Sequence, residues 1–147
     1  MPMRAVVNRV KYAKVFVDQK EIDQIGFGLL VYLGITHTDN FQTADKLINK
    51  LKNLRIFEDS EEKMNLNLAD VNGQIMIISQ FTLYGETKKN NRPSFTLAAS
   101  PAYALPLYEY IIKQLSVNYQ VGSGQFGSHM QVVLENDGPV NILIELD

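Results

Sequence analysis

The chain predicts an α+β fold: a mostly antiparallel sheet or half-barrel with two main helices, in a single domain over residues 1–147. Three observations lead there. Val-rich segments with period-2 alternation stand at both ends of the chain, an unbroken apolar run occupies residues 29–35, and two stretches carry apolar residues at helical spacing.

Residues 4–10 and 12–18 read as two β-strands joined through Lys11 or a short turn near it, and Ile22 to Ile25 as a brief pairing segment. The run Leu29 to Ile35, opened by Gly26-Phe27-Gly28, fits a central strand buried on both faces. Asp39 with Gln42 three residues later resembles a capping box, and Ala44, Leu47, Ile48, Leu51 and Leu54 follow at helical spacing. A helix over about 40–55 is therefore expected, with Lys46, Lys50 and Lys52 on a solvated face. Residues 58–74 are polar and turn-rich, Ile75 to Leu83 returns to a strand pattern, and Glu86 to Ser94 reads as a polar loop. Ser100-Pro101 marks a second helix start, Ser as N-cap and Pro at the first helical position, with Tyr108, Ile111, Ile112 and Leu115 as its buried stripe. Pro106 is expected to bend that helix early. Segments at about 117–122, 129–135 and 140–146 alternate like antiparallel strands.

A chain of 147 residues, 46% apolar and 20% charged, can bury roughly 68–70% of its unfolded surface without a staple. No apolar run approaches the roughly 18–20 residues of a membrane span, and Met1 to Arg4 lacks the apolar stretch of a signal peptide, so a cytoplasmic location with no membrane partner is expected. The absence of cysteine removes disulfides, thiolate nucleophiles and zinc–thiolate clusters. A net charge of −2 argues against a broad nucleic-acid footprint and leaves room only for a local one.

The most informative stretch is Asn136-Asp137-Gly138-Pro139-Val140. It sits where two period-2 segments would otherwise meet in a plain hairpin, yet Pro139 has no N–H for a ladder. About 5–6% of X-Pro bonds in folded proteins are cis, and a cis bond here would aim two carbonyls outward as an acceptor pair suited to an ammonium group.

Ser79-Gln80-Phe81-Thr82-Leu83-Tyr84 places hydroxyl and amide groups at the end of an apolar strand. Ser79 and Thr82 either satisfy backbone groups there or take part in chemistry. A hydroxyl nucleophile would need His37, which reads as a surface residue, or His129, a better placed candidate for which core or rim packing also accounts. No His/Asp/Glu cluster has metal-ligand spacing, no nucleotide fingerprint is present, and no cofactor is implied. Asp59 to Glu62 reads as a solvated loop, and Lys88, Lys89 and Arg92 as a weak phosphate candidate.

Taken together, the Ser79–Tyr84 and Asn136–Val140 segments resemble the two signature motifs of D-aminoacyl-tRNA deacylase. The resemblance runs nearly end to end through RAVVNRV (4–10), GLLVYLGI (28–35), NLRIFED (53–59), KMNLNLADV (63–71), RPSF (92–95) and FGSHM (126–130). The chain departs at Asn141, where the family usually has Thr, at Asn8, usually Gln, and at Ser128, often Ala.

The resemblance implies hydrolysis of the ester joining a D-amino acid to the terminal adenosine of tRNA, in a homodimer with sites at the interface. It implies a catalytic segment of Ser79, Gln80, Phe81 and Thr82, with N–H groups near Phe81 and Thr82 as oxyanion donors and Thr82 orienting. It implies a cross-subunit Gly138-Pro139 tip that excludes L side chains, Gly138 being needed because a Cβ would enter the pocket. Arg9 would pin the tip through its carbonyls, Phe126, Gly127 and Met130 would line the substrate site, and Lys88, Lys89 and Arg92 would steer the tRNA stem. A small-molecule esterase using Ser79 or Thr82, or a non-catalytic nucleic-acid-binding member of the fold, are the other readings.

Overall fold

The computed structural model describes residues 2–147. Its frame is a six-stranded sheet with β2 (Lys20–Ile25), β1 (Met3–Val17), β3 (Gly28–Gly34), β6 (Gln74–Ser79) and β7 (Val121–Ser123) in that order, and β8 (Gln131–Leu146) added to β1. A small ribbon of β4 (Phe57–Glu58) and β5 (Met64–Leu66) stands apart. Two helices, α1 (Phe41–Asn53) and α2 (Pro101–Leu115), complete the expected sheet-and-two-helix architecture. β1 pairs antiparallel with β2, β3 and β8, while β3–β6 and β6–β7 are parallel.

β1 differs from expectation: it is one continuous strand and Lys11 is no turn. The sequence mimics a break there because the burial alternation slips phase, with Arg9 and Val10 both buried and Lys11 and Tyr12 both exposed. The ladder to β8 is irregular at the same place, between Asn8 and Val10 and again between Val10 and Tyr12. The slip gives the strand two cores. Met3, Ala5 and Val7 pack with Leu29, Val31 and the helices, whereas Val10, Ala13 and Val15 pack with Leu30, Met76 and Ile78. β3 is buried on both faces between those cores, as its unbroken apolarity predicts.

α1 is capped by Asn40, not by Asp39: the Asn40 side chain accepts from Thr43 N at 2.9 Å. Asp39 is buried and turned back, its carboxylate accepting from Thr36 N at 2.8 Å. Ala44, Leu47, Ile48 and Leu51 form the buried stripe, each larger side chain stabilising by about 1.5–3 kcal/mol. α2 begins as expected, with Ser100 as cap and Pro101 in the first turn, and runs through Pro106 to Leu115 as one helix. Its buried residues are Ala104, Leu107, Tyr108, Ile111 and Leu115, and the Tyr108 hydroxyl donates to Ile77 O at 2.8 Å, tying helix to sheet.

The strand expected over 75–83 stops at Ser79, and Phe81–Tyr84 coils into a 3-10 turn. At the C-terminal end, β7 is short and parallel to β6, and the two segments expected on either side of Gly138-Pro139 are one strand, β8. The ladder resumes because the extra chain is looped out. Asn136 faces Val10 and Asn141 faces Asn8, so four residues, Asp137 to Val140, stand opposite Arg9 alone. No helix among the described residues is long and apolar enough to cross a membrane.

Candidate active site

β6 ends where the chemistry-bearing segment begins, and the 3-10 turn is held from below. Tyr84 is 1% exposed, with its hydroxyl 2.6 Å from Pro2 O and 3.2 Å from Gly34 O. Burial raises its pKa above the usual phenol range. Arg4 sits over the Tyr84 ring at 5.1 Å and donates from Nη1 to Leu83 O at 3.0 Å, while its Nε pairs with Glu145 at 3.0 Å. A Cβ on Gly34 would come within 2.9 Å of the Tyr84 ring, so β3 must present glycine there. Gln80 N bonds to Leu33 O at 2.7 Å and Leu83 N to Gln80 O at 3.3 Å. The N–H groups of Phe81 and Thr82 come before Leu83 N, the first donor the turn uses internally, which leaves them as the donors a short helical turn offers outward.

A cavity of about 1010 Å³ opens beside this turn. Ser79, Gln80, Phe81 and Leu83 form one wall; Phe95, Ala98 and Ala99 continue it into the start of α2; Tyr32 and Val6 come from the sheet. The opposite rim is the segment Phe126 to Met130, where Phe126 packs on Tyr108 at 5.5 Å and Met130 joins the second core. Phe81 is 57% exposed and meets Phe95 edge-on at 5.2 Å, an aromatic pair at the mouth. His129 lines the rim beside Gln131, its Nε2 at 3.1 Å from the amide nitrogen, and His37 lies at the surface against Thr96 O at 2.7 Å. Neither imidazole is bonded to Ser79 or Thr82. Among the described residues, no three His, Asp or Glu side chains converge as a metal site would require.

The structure thus gathers Ser79, Gln80, Phe81, Phe126, Gly127 and Met130 around one cavity. Thr82 is adjacent but exposed and does not line it. Lys88, Lys89 and Arg92 lie on an exposed loop leading into Phe95. Tyr32, Phe95 and Arg4 were not singled out from sequence; Phe95 ends a quoted motif, which is the only signal that pointed to it.

Arg9, Gly138 and Pro139 stand elsewhere in the chain's fold. The Gly138-Pro139 bond is cis, and both residues are exposed and outside the cavity lining. Arg9 is 4% exposed and donates from Nη1 to Ile56 O at 2.8 Å. Its Nε lies 3.0 Å from Asp137 Oδ2, an ion pair whose N–H is not aligned as a hydrogen bond, and its Nη2 lies 3.4 Å from Glu58 Oε1. Arg9 therefore holds the tip through the Asp137 carboxylate, not through the tip carbonyls. Within this chain Gly138 has a φ of +118°, and a Cβ there would lie 2.7 Å from Val140 Cγ2 and 2.9 Å from Val140 N. Asn136 closes the neck of the loop, its amide donating to Arg9 O at 3.0 Å and reaching Val140 O at 3.4 Å. The two departures from the family pattern at Asn8 and Asn141 are cross-strand partners, Asn8 Nδ2 donating to Asn141 Oδ1 at 2.5 Å.

A mixed sheet with two helices and a hydroxyl- and amide-rimmed cavity at a strand end defines a class of small α+β enzymes, and comparison gives the family: the one described as D-Tyr-tRNA(Tyr) deacylase matches residues 6–145, so the chain belongs to it. That makes the chain an enzyme of the hydrolase class. The D-aminoacyl-tRNA deacylase of Fusobacterium nucleatum is 57% identical over 144 residues, covering 97% of this chain and 95% of the relative, and that of Clostridioides difficile strain 630 is 52% identical, covering 97% of each. Among solved structures, a c-Myc DNA unwinding element binding protein superposes with a TM-score of 0.92 at 38% identity, covering 98% of this chain and 99% of that one. A probable eukaryotic D-amino acid tRNA deacylase shares the fold with a TM-score of 0.84 at 18% identity, covering 99% of this chain and all of that one.

Proposed function

We propose that this enzyme, one domain over residues 1–147 acting in the cytoplasm, hydrolyses the ester between a D-amino acid and the terminal adenosine of tRNA. Water adds to the acyl carbon, the acyl C–O bond breaks, and the products are the free D-amino acid and tRNA with its ribose hydroxyl restored. Family membership carries the reading, supported by a cavity whose rim is Ser79, Gln80 and Phe81.

An aminoacyl ester is already labile, so the protein need supply only positioning and charge stabilisation. One oxyanion donor contributes roughly 2.7–4 kcal/mol, and the outward N–H groups of Phe81 and Thr82 are suited to that task. Thr82 orients, and the terminal ribose 2′-hydroxyl helps activate water. The absence of a bonded imidazole at Thr82 or Ser79 favours this over a covalent hydroxyl. Phe126, Gly127 and Met130 form the rim that receives the adenosine, an aromatic face suiting a base.

Selection against L substrates requires a rigid obstacle, since both enantiomers carry the same bonding groups. The Gly138-Pro139 loop, held by Arg9 and Asn136, is the stiff element available. In our reading it enters the cavity of a second copy in a homodimer, its carbonyls accepting from the substrate α-ammonium while a D side chain points to solvent. Glycine, with no side chain, also enters.

The test is deacylation of matched D- and L-tyrosyl-tRNA by wild type and Thr82→Ala. Wild type should hydrolyse the D ester far faster than the L ester, and Thr82→Ala should keep turnover within about tenfold. Equal rates on both enantiomers would overturn the chiral reading; a loss near the 10⁴-fold scale of a missing nucleophile would instead make Thr82 covalent.

A further inference from the structure

The chain from Gln80 to Tyr108, which supplies one wall of the cavity through Gln80, Phe81, Leu83 and Phe95, has an uneven charge. Its one carboxylate is Glu86, against Lys88, Lys89 and Arg92, although the whole chain carries a net charge of −2. Those three cations occupy a closed arch. Glu86 N bonds to Ser94 O at 2.8 Å and Ser94 N to Glu86 O at 3.0 Å, so residues 87–93 stand out as a loop with paired feet. The Glu86 carboxylate accepts from the backbone N–H of Lys88, at 3.3 Å, and pairs with none of the three side chains. Among the described residues, none of the three cations has a carboxylate within 4.0 Å, while Arg4, Arg9, Lys11 and Lys14 all do. The far foot of the arch leads directly to Phe95, whose ring meets Phe81 at the cavity mouth.

From this placement we infer that the 87–93 arch is a phosphate-binding rim that holds the backbone of the tRNA acceptor end while the ester occupies the cavity. The inference rests on the deacylase reading above and deepens it. An unpaired Lys or Arg on a solvated loop gains little from the protein and much from a phosphate, because each contact releases condensed counterions. Three cations on the loop that joins cavity-lining Leu83 to cavity-lining Phe95 match a substrate that is polyanionic outside the pocket. Their restriction to one arch fits an otherwise acidic protein that reads only the end of the molecule.

Three contacts predict a slope of log Kd against log salt of about 2–2.7, so raising potassium chloride from 50 to 200 mM should weaken binding of uncharged tRNA by about 15–40-fold. The triple variant Lys88→Glu, Lys89→Glu, Arg92→Glu should bind more weakly at 50 mM and respond little to salt, and each single Gln substitution should lower the slope by about one. Hydrolysis of D-tyrosyl-adenosine, which has no phosphodiester, should keep its wild-type kcat/KM in the triple variant, which also shows that the variant is folded. Wild-type tRNA affinity and slope in the triple variant would overturn the inference, as would an equal loss on D-tyrosyl-adenosine. Wild type that binds tRNA with this salt dependence yet leaves D-tyrosyl-tRNA intact would sink the deacylase reading and leave the arch standing.

Discussion

Arg9 is the most consequential single side chain for the Gly138-Pro139 loop, and replacing it with Met separates three contributions of different size. The Nη1 bond satisfies Ile56 O in a region where Ile56 is itself 5% exposed, so its loss leaves a buried carbonyl unpaired at about 1–3 kcal/mol. The pair with Asp137 is partly shielded, whereas Glu58 is half exposed and at 3.4 Å, which puts it in the class of surface pairs contributing about 0–1 kcal/mol. Met fills much of the Arg stem's volume, so cavity formation adds little. The sum is about 2–4 kcal/mol, or roughly 6–12 °C in Tm for a chain of this length. Urea and thermal unfolding should rank Arg9→Met above Asp137→Asn, and Asp137→Asn above Glu58→Gln, which should stay within about 0.5 kcal/mol of wild type. Asp137→Asn should also narrow the ratio of D- to L-tyrosyl-tRNA hydrolysis, because the loop loses its charged tether. The reasoning fails if Glu58→Gln costs as much as Asp137→Asn, or if Arg9→Met is nearly neutral.

Two further outcomes follow from buried polar groups. Asp39 has its pKa raised to about 6, chiefly by desolvation, with Thr36 N opposing the shift and the Asp147 carboxylate adding to it. Its folded pKa lies above the unfolded value, so its contribution is fully present below about pH 4 and is lost as pH rises through about 6, a swing of about 2–3 kcal/mol. Asp39→Asn keeps an acceptor for Thr36 N and should therefore be more stable than wild type at pH 7.5 and indistinguishable at pH 3.5; equal stability at both pH values in urea titrations would refute the assignment. Asn136→Ala removes the one donor spanning the neck of the loop and leaves Arg9 O and Val140 O without it, which should cost about 1–2 kcal/mol and lower kcat/KM for D-tyrosyl-tRNA. A variant with unchanged stability would mean that water replaces the amide.

Much of the fold was legible because its signals are local. The apolar run at β3, the Ser100-Pro101 start of α2 and the stripe of α1 from Ala44 to Leu51 each depend on a few neighbouring residues and formed as read, while Leu54, expected in that stripe, falls at the C-cap beyond the helix. Errors arose where a distant partner decides. Lys11 mimics a turn only until β8 pairs on either side of it, at Val10 and Tyr12, and Asp137 to Val140 mimic a hairpin tip only until the same partner admits four residues opposite one. The cap moved from Asp39 to Asn40 because a carboxylate bonded to Thr36 N, a choice that sequence spacing does not encode. At the site, the segments 79–83 and 126–130 were legible as motifs, whereas Tyr32 and Arg4, though inside the family-like segments 28–35 and 4–10, take their places through sheet register and stacking, which no short-range pattern encodes.

That register also bears on how the two motifs could serve one substrate. Val6 pairs with Tyr32 and both line the cavity, while Arg9 pairs with Leu29, whose side chain belongs to the core beneath the helices. Positions 6 and 9 have opposite parity on a strand that stays regular against β3 over this stretch, so their side chains leave the sheet on opposite faces. The loop that Arg9 tethers is thus anchored from the face turned away from its own cavity, and its exposed tip lines no wall of that cavity. Strand parity therefore explains why the Gly138-Pro139 tip does not line the cavity of its own chain.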